Sequence, residues 1–143
     1  MIAREWQQLD IPKIAELEKL CFSDPWTGQA FESGMNSPFF YGILFEEAGQ
    51  VCAYACETVL FEDAEILNVA VAPSFRRRGL GKALLLALEE YAKKQGAERL
   101  LLEVREGNVS ARGLYDSFGF SAFGVRKNYY EDGENAVVMQ KII

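Results

Sequence analysis

Between Val69 and Leu84 an apolar strand stops at Pro73, a basic glycine-containing turn follows, and an amphipathic helix begins near Gly79. The turn reads Arg76-Arg77-Arg78-Gly79-Leu80-Gly81-Lys82. A helix N-terminus exposes unpaired backbone N–H groups at the positive end of the macrodipole, so it attracts anions. Gly79 and Gly81 lack the side chains that would keep an anion off that backbone. The three arginines and Lys82 add positive charge in a chain that is otherwise acidic. This pattern reads as a phosphate or pyrophosphate site. It is not a P-loop, because Ala83 follows Gly81-Lys82 where a hydroxyl residue is needed and Arg76 stands at the first-glycine position. Nor is it a dinucleotide fingerprint, since Leu84 occupies the place of the third glycine.

Histidine is absent. That excludes Ser-His and Cys-His hydrolases and every histidine-based metal site, so proton transfer must fall to Glu, Asp, Tyr, Lys or Cys. Glu103 lies near the end of a leucine-rich strand, and Tyr115 lies on the helix that follows, with Asn108 between them. Ligands collect at the carboxyl ends of strands in open sheets. If the strands ending at Val71 and Val104 are parallel neighbours, the basic turn and Glu103 open on one sheet edge. The intervening helix is the crossover that such a pair requires. Each residue also has a plainer reading. Glu103 could be a solvated carboxylate, Tyr115 a core tyrosine, Asn108 a helix cap and Arg105 a surface charge.

The chain has 143 residues, half of them apolar, enough for one compact domain over residues 1–143. No apolar run approaches the roughly 18 residues of a membrane span. Arg4 and Glu5 interrupt the N-terminus, so no signal peptide is expected. Cys21, Cys52 and Cys56 are an odd count without metal spacing, which suits a reducing cytoplasm, with Cys52 and Cys56 as small buried residues on one strand face. A net charge of −6 argues against general nucleic-acid binding.

The elements that must position these groups follow from periodicity and punctuation. A short strand is expected at residues 2–7, then a helix capped by Asp10 and reaching about residue 21. A second helix runs from a Thr27 cap to about residue 35, where Ser37-Pro38 stops it. Strands are expected near 39–46, 51–59 and 64–71, the first two joined by a turn around Gly49. A long helix from Gly79 to about residue 95 precedes a strand at 99–104. A helix with the stripe Ala111, Leu114, Tyr115 and Phe118 ends at Gly119, and strands near 121–128 and 136–142 close the chain. The order β-α-α-β-β-β-α-β-α-β-β is an α+β plan.

Arg-x-x-Gly-x-Gly, from Arg76 to Gly81, resembles the acetyl-CoA pyrophosphate loop of the GCN5-related N-acetyltransferase (GNAT) family. Leu102-Glu103-Val104-Arg105, Asn108, Ala111, Leu114-Tyr115 and Gly119-Phe120 resemble the second half of the same core, and the element order is similar along essentially the whole chain. Asn68-Val69-Ala70-Val71, Arg126-x-Asn128-Tyr129-Tyr130 and Phe22-x-x-Pro25-Trp26 look like the bacterial ribosomal-protein alanine N-acetyltransferase (RimI-like) branch.

The resemblance implies a mixed central sheet of about seven strands flanked by about four helices. It implies acetyl-CoA as cosubstrate and no metal. Cofactor contacts then fall at Val69, Ala70, Val71, Arg77, Arg78, Gly79, Leu80, Gly81, Lys82 and Asn108. Glu103 is the implied proton acceptor and Tyr115 the donor, with a backbone N–H within 69–71 polarising the thioester once the strand pair splays. The implied acceptor is a basic protein N-terminus beginning with alanine, that of protein eighteen of the small ribosomal subunit, with no direct nucleic-acid or membrane contact. Glu46, Glu47, Glu62, Asp63, Glu65, Glu131, Asp132 and Glu134 could draw such a peptide or could serve solubility. The same core could instead acetylate a small amine or a lysine. A non-catalytic acetyl-CoA-binding module is a third reading, against which the presence of both Glu103 and Tyr115 speaks.

Overall fold

The computed structural model describes residues 1–143. The elements are β1 (Ile2–Glu5), α1 (Ile11–Cys21), α2 (Gly28–Met35), β2 (Phe40–Glu47), β3 (Gln50–Leu60), β4 (Asp63–Val71), α3 (Leu80–Lys94), β5 (Arg99–Arg105), α4 (Val109–Phe118), β6 (Ser121–Arg126) and β7 (Ala136–Ile142). The strands form one sheet in the order β1-β2-β3-β4-β5-β7-β6. Every neighbouring pair is antiparallel except β4 and β5, which α3 joins as a crossover. The expected mixed sheet of seven strands with four helices is therefore what the chain builds.

Alternation along β2 sorts the helices onto the two faces. Phe40 packs on Trp6, whose ring also meets Phe31 of α2 and Tyr54 of β3. Its neighbour Tyr41 points the other way and stacks on Tyr91 of α3 with ring centres 3.9 Å apart. On that second face α3 buries Leu84, Leu85, Leu88 and Ala92 completely. Burial of each of these leucines contributes about 1.5–3 kcal/mol, and it fixes α3 against β2, β3 and β4.

The sheet opens where chemistry is expected. β4 and β5 pair only at Asp63↔Arg99, Ala64↔Leu100 and Glu65↔Leu101, although β4 continues to Val71 and β5 to Arg105. Beyond Glu65 and Leu101 the strands diverge, while β4 stays paired to β3 as far as Ala53↔Val71. A register shift between Cys56 and Glu57 accompanies the change. Backbone groups on the β5-facing side of residues 66–71 are thus left without strand partners, a cost accepted in folded proteins only where something else meets them.

Three local expectations need correction. Asp10 stands at the N-terminus of α1, but its carboxylate takes Arg4 in a two-pronged pair at 2.8 Å and the Gln7 N–H at 2.7 Å instead of capping the helix. β6 ends at Arg126, earlier than residue 128, because Asn128 adopts a left-handed φ of 53°. Arg105 is no surface charge, and its surroundings are described below. The Thr27 cap is present, its Oγ1 accepting the Ala30 N–H at 3.1 Å, and Gly119 ends α4 with φ of 108°.

Candidate active site

A cleft of about 180 Å³ occupies the divergence of β4 and β5. Leu67, Asn68 and Val69 form one wall, Glu103, Val104 and Arg105 the other. Asn108, Ala111 and Tyr115 line it as well, together with Glu18, Phe22, Asp24, Trp26 and Tyr130. The structure therefore brings Val69, Glu103, Asn108 and Tyr115 together. Ala70, Val71 and the basic turn are not among the residues lining it; they continue from Val69 towards the start of α3. A larger groove of about 740 Å³ lies elsewhere, between α1, the β2–β3 turn and Ala72–Ser74, and contains none of these residues.

Glu103 reaches the cleft because it alternates with Leu102 and Val104, both buried in the core. Its Oε1 pairs with the Arg126 Nε at 3.3 Å. Its Oε2 is buried and has no partner. A buried carboxylate oxygen without a donor is costly, and Glu103 stands on the wall of the cleft. Tyr115 is 8% exposed and meets Phe120 edge-to-face, so it is a core residue and a cleft residue at once. Burial, and secondarily the neighbouring Tyr130, pushes its phenol up to about 12. It therefore carries its proton at neutral pH. Asn108 caps α4, its Oδ1 accepting the Ala111 N–H at 3.1 Å, and lines the cleft as well.

The basic turn follows a short 3₁₀ segment, Pro73–Phe75. Arg77 and Gly79 both take positive φ, 64° and 79°. A Cβ on Gly79 would meet nothing, so its glycine serves the backbone turn and leaves the helix start open. Gly81 answers a different need, since a Cβ there would stand 2.9 Å from Leu114 Cδ2. Its glycine lets α3 approach α4. Arg76 folds back, its Nε donating to the Val71 carbonyl at 3.1 Å. Arg78 lies over the Phe75 ring at 4.9 Å.

Two groups escaped the sequence reading. Glu18 is 1% exposed, accepting the Trp26 N–H at 3.0 Å, the Asn68 amide at 2.9 Å and the Tyr54 hydroxyl. Burial pushes its carboxyl up, and these three donors pull it back. Its position four residues after Ile14, on the apolar face of α1, was the available signal. Arg105 was the other. Half of the acidic set is also tied up internally: Glu46 with Arg4, Asp63 with Arg99, and Asp132 and Glu134 with Arg105. The negative surface is correspondingly smaller than the sequence suggested.

Residues 11–120 match the acetyltransferase (GNAT) family. The ribosomal protein bS18-alanine N-acetyltransferase of Escherichia coli K12 is 35% identical over 133 residues, covering 91% of this chain and 89% of that protein. A crystal structure of the Escherichia coli ribosomal-protein-S18-alanine N-acetyltransferase superposes with a TM-score of 0.90 at 33% identity, covering 99% of this chain and 93% of that one. Naa20 of Chaetomium thermophilum, solved in complex with a bisubstrate analogue, gives 0.89 at 26% identity over 100% of this chain and 87% of its own. The splayed strands, the open helix start and these matches agree: the chain belongs to the GNAT acetyltransferase family and is an enzyme of the N-acetyltransferase class.

Proposed function

We propose that the protein transfers the acetyl group of acetyl-CoA to the α-amine of an N-terminal alanine, that of ribosomal protein bS18. The observation that carries this reading is Glu103 on the wall of the cleft between β4 and β5, with its Oε2 buried and unpartnered. The residues present suit acetyl-CoA. The α3 N-terminus with Arg77, Arg78 and Lys82 suits its pyrophosphate, and the unpaired edge of residues 66–71 suits an extended amide-containing arm. Bound there, acetyl-CoA supplies an activated acyl group.

Glu103 takes the proton from the arriving ammonium, directly or through water, and frees the nitrogen lone pair. The nitrogen attacks the thioester carbonyl carbon, the N–C bond forms and the C–S bond breaks. A backbone N–H within Val69–Val71 steadies the oxygen as negative charge develops. Tyr115 gives its proton to the departing thiolate, and the second proton that nitrogen sheds as the amide forms restores the phenol. No cysteine lines the cleft, so direct attack without an acyl-enzyme is the consistent route. The acceptor assignment rests on the substrate named for the Escherichia coli relative. Asp24, Asp132 and Glu134 around the single guanidinium of Arg105 support it, because the acceptor side stays negative and favours a basic peptide.

Glu103→Gln tests the reading. Near pH 7 the rate should fall on the order of 10²- to 10⁴-fold. Much of the loss should return above the α-amine pKa of about 7.7–8.0, where the amine arrives deprotonated. A variant matching the native rate at pH 7 would remove Glu103 from the mechanism.

A further inference from the structure

Arg105 ends β5, one residue pair beyond Glu103 on the same strand face, and its side chain is 19% exposed. Its Nη2 pairs with Asp24 Oδ2 at 3.0 Å, in the connection between α1 and α2. Its Nη1 pairs with Asp132 at 2.9 Å and with Glu134 at 2.8 Å, in the connection between β6 and β7. The guanidinium carbon lies 4.1 Å from the centre of the Tyr130 ring. Glu134 passes the contact on, its Oε2 accepting the Gly107 N–H at 2.8 Å just before α4. One planar cation thus ties the α1–α2 connection and the β6–β7 connection, remote from each other in sequence, to the end of β5. Nothing else in the hydrogen-bonding pattern links the Asp24 segment to the Asp132 segment.

We propose that Arg105 is the positioning residue of the acceptor site, a clamp that holds the two connecting segments and the Tyr130 ring at the spacing that a peptide N-terminus needs. It need not touch the reacting atoms. A planar guanidinium suits the task, because it offers several N–H donors in fixed directions and a flat face for the ring, whereas a lysine offers a compact point charge. Alignment errors near 1 Å cost on the order of 100-fold in rate, so a clamp remote from the chemistry governs turnover of the acceptor.

The inference rests on the acceptor reading above, and its test separates the two. Hydrogen exchange on the free protein compares native chain, Arg105→Met and Arg105→Lys. Arg105→Met should speed exchange in residues 22–27 and 128–135 together, while residues 76–82 keep their native protection. Arg105→Lys should fall between, and it stands in should the methionine variant not fold. In steady-state assays with an alanine-starting basic peptide, the variant's peptide KM should rise or its kcat fall on the order of 10- to 100-fold. Acetyl-CoA affinity should stay within about twofold. Native exchange in either segment, or an equal loosening of the whole chain, overturns the clamp. Failure of the native enzyme to acetylate the peptide overturns the acceptor reading instead, since the exchange comparison uses no acceptor.

Discussion

Two buried side chains separate chemistry from packing at the scale of single residues. Tyr115 has a phenol at about 12, a protonated donor throughout the physiological range. Tyr115→Phe keeps the contact with Phe120 and removes only the hydroxyl. Turnover should fall by roughly 10²-fold or more while acetyl-CoA affinity holds, measured by kinetics and calorimetry; a loss below about threefold would leave Tyr115 a core residue alone. Glu57 is the opposite case. It is wholly buried on β3, both of its oxygens lack partners, and burial raises it from 4.5 to about 9. A carboxyl raised in the folded state contributes its full stability below the unfolded value of 4.5 and loses it as pH climbs through 9. Between those values stability at this site should decline by about 1.4 kcal/mol per pH unit. Thermal melts from pH 5 to pH 8 should therefore show native Tm falling relative to Glu57→Gln; parallel curves would show that Glu57 is ionised in the fold.

Among the elements, α3 carries two requirements in neighbouring glycines. Gly81→Val should drive its side chain into Leu114, a small-to-large change of the kind that costs about 1–3 kcal/mol. Leu114→Ala in the same chain should return part of the lost Tm, and full additivity of the two changes would show that they do not meet. The helices and strands were legible in the sequence because caps and apolar spacing agree: Thr27 opens α2, Gly119 closes α4, and the leucines of α3 repeat at core spacing. The packing role of Gly81 was not legible, because a motif states that a side chain is missing and says nothing of what would occupy the space. Arg105 was misread for a related cause. Its partners lie 81 positions before it, at Asp24, and 27 and 29 after it, at Asp132 and Glu134, and only the sheet brings them together.

Across the whole molecule, one parallel strand pair in an otherwise antiparallel sheet sets the plan. Its early divergence opens a cleft, with the α3 N-terminus beyond Val69 on one side and Asp24, Asp132 and Glu134 around Arg105 on the other. The sequence made a shared edge for the turn and Glu103 conditional on β4 and β5 being parallel neighbours, which they are, whereas the extent of the divergence lies in strand register, which no composition reveals. An anion-attracting end and a cation-attracting end suit a donor bearing phosphates and an acceptor bearing arginines. The direct measurement is mass spectrometry of an alanine-starting, arginine-rich peptide with one internal lysine, incubated with the protein and acetyl-CoA near pH 7. A single acetyl group should appear on the alanine α-amine, with the lysine, whose reference pKa is about 10.4, left unmodified. Acetylation of the internal lysine first, or of a polyamine competitor in preference to the peptide, would contradict the acceptor assignment.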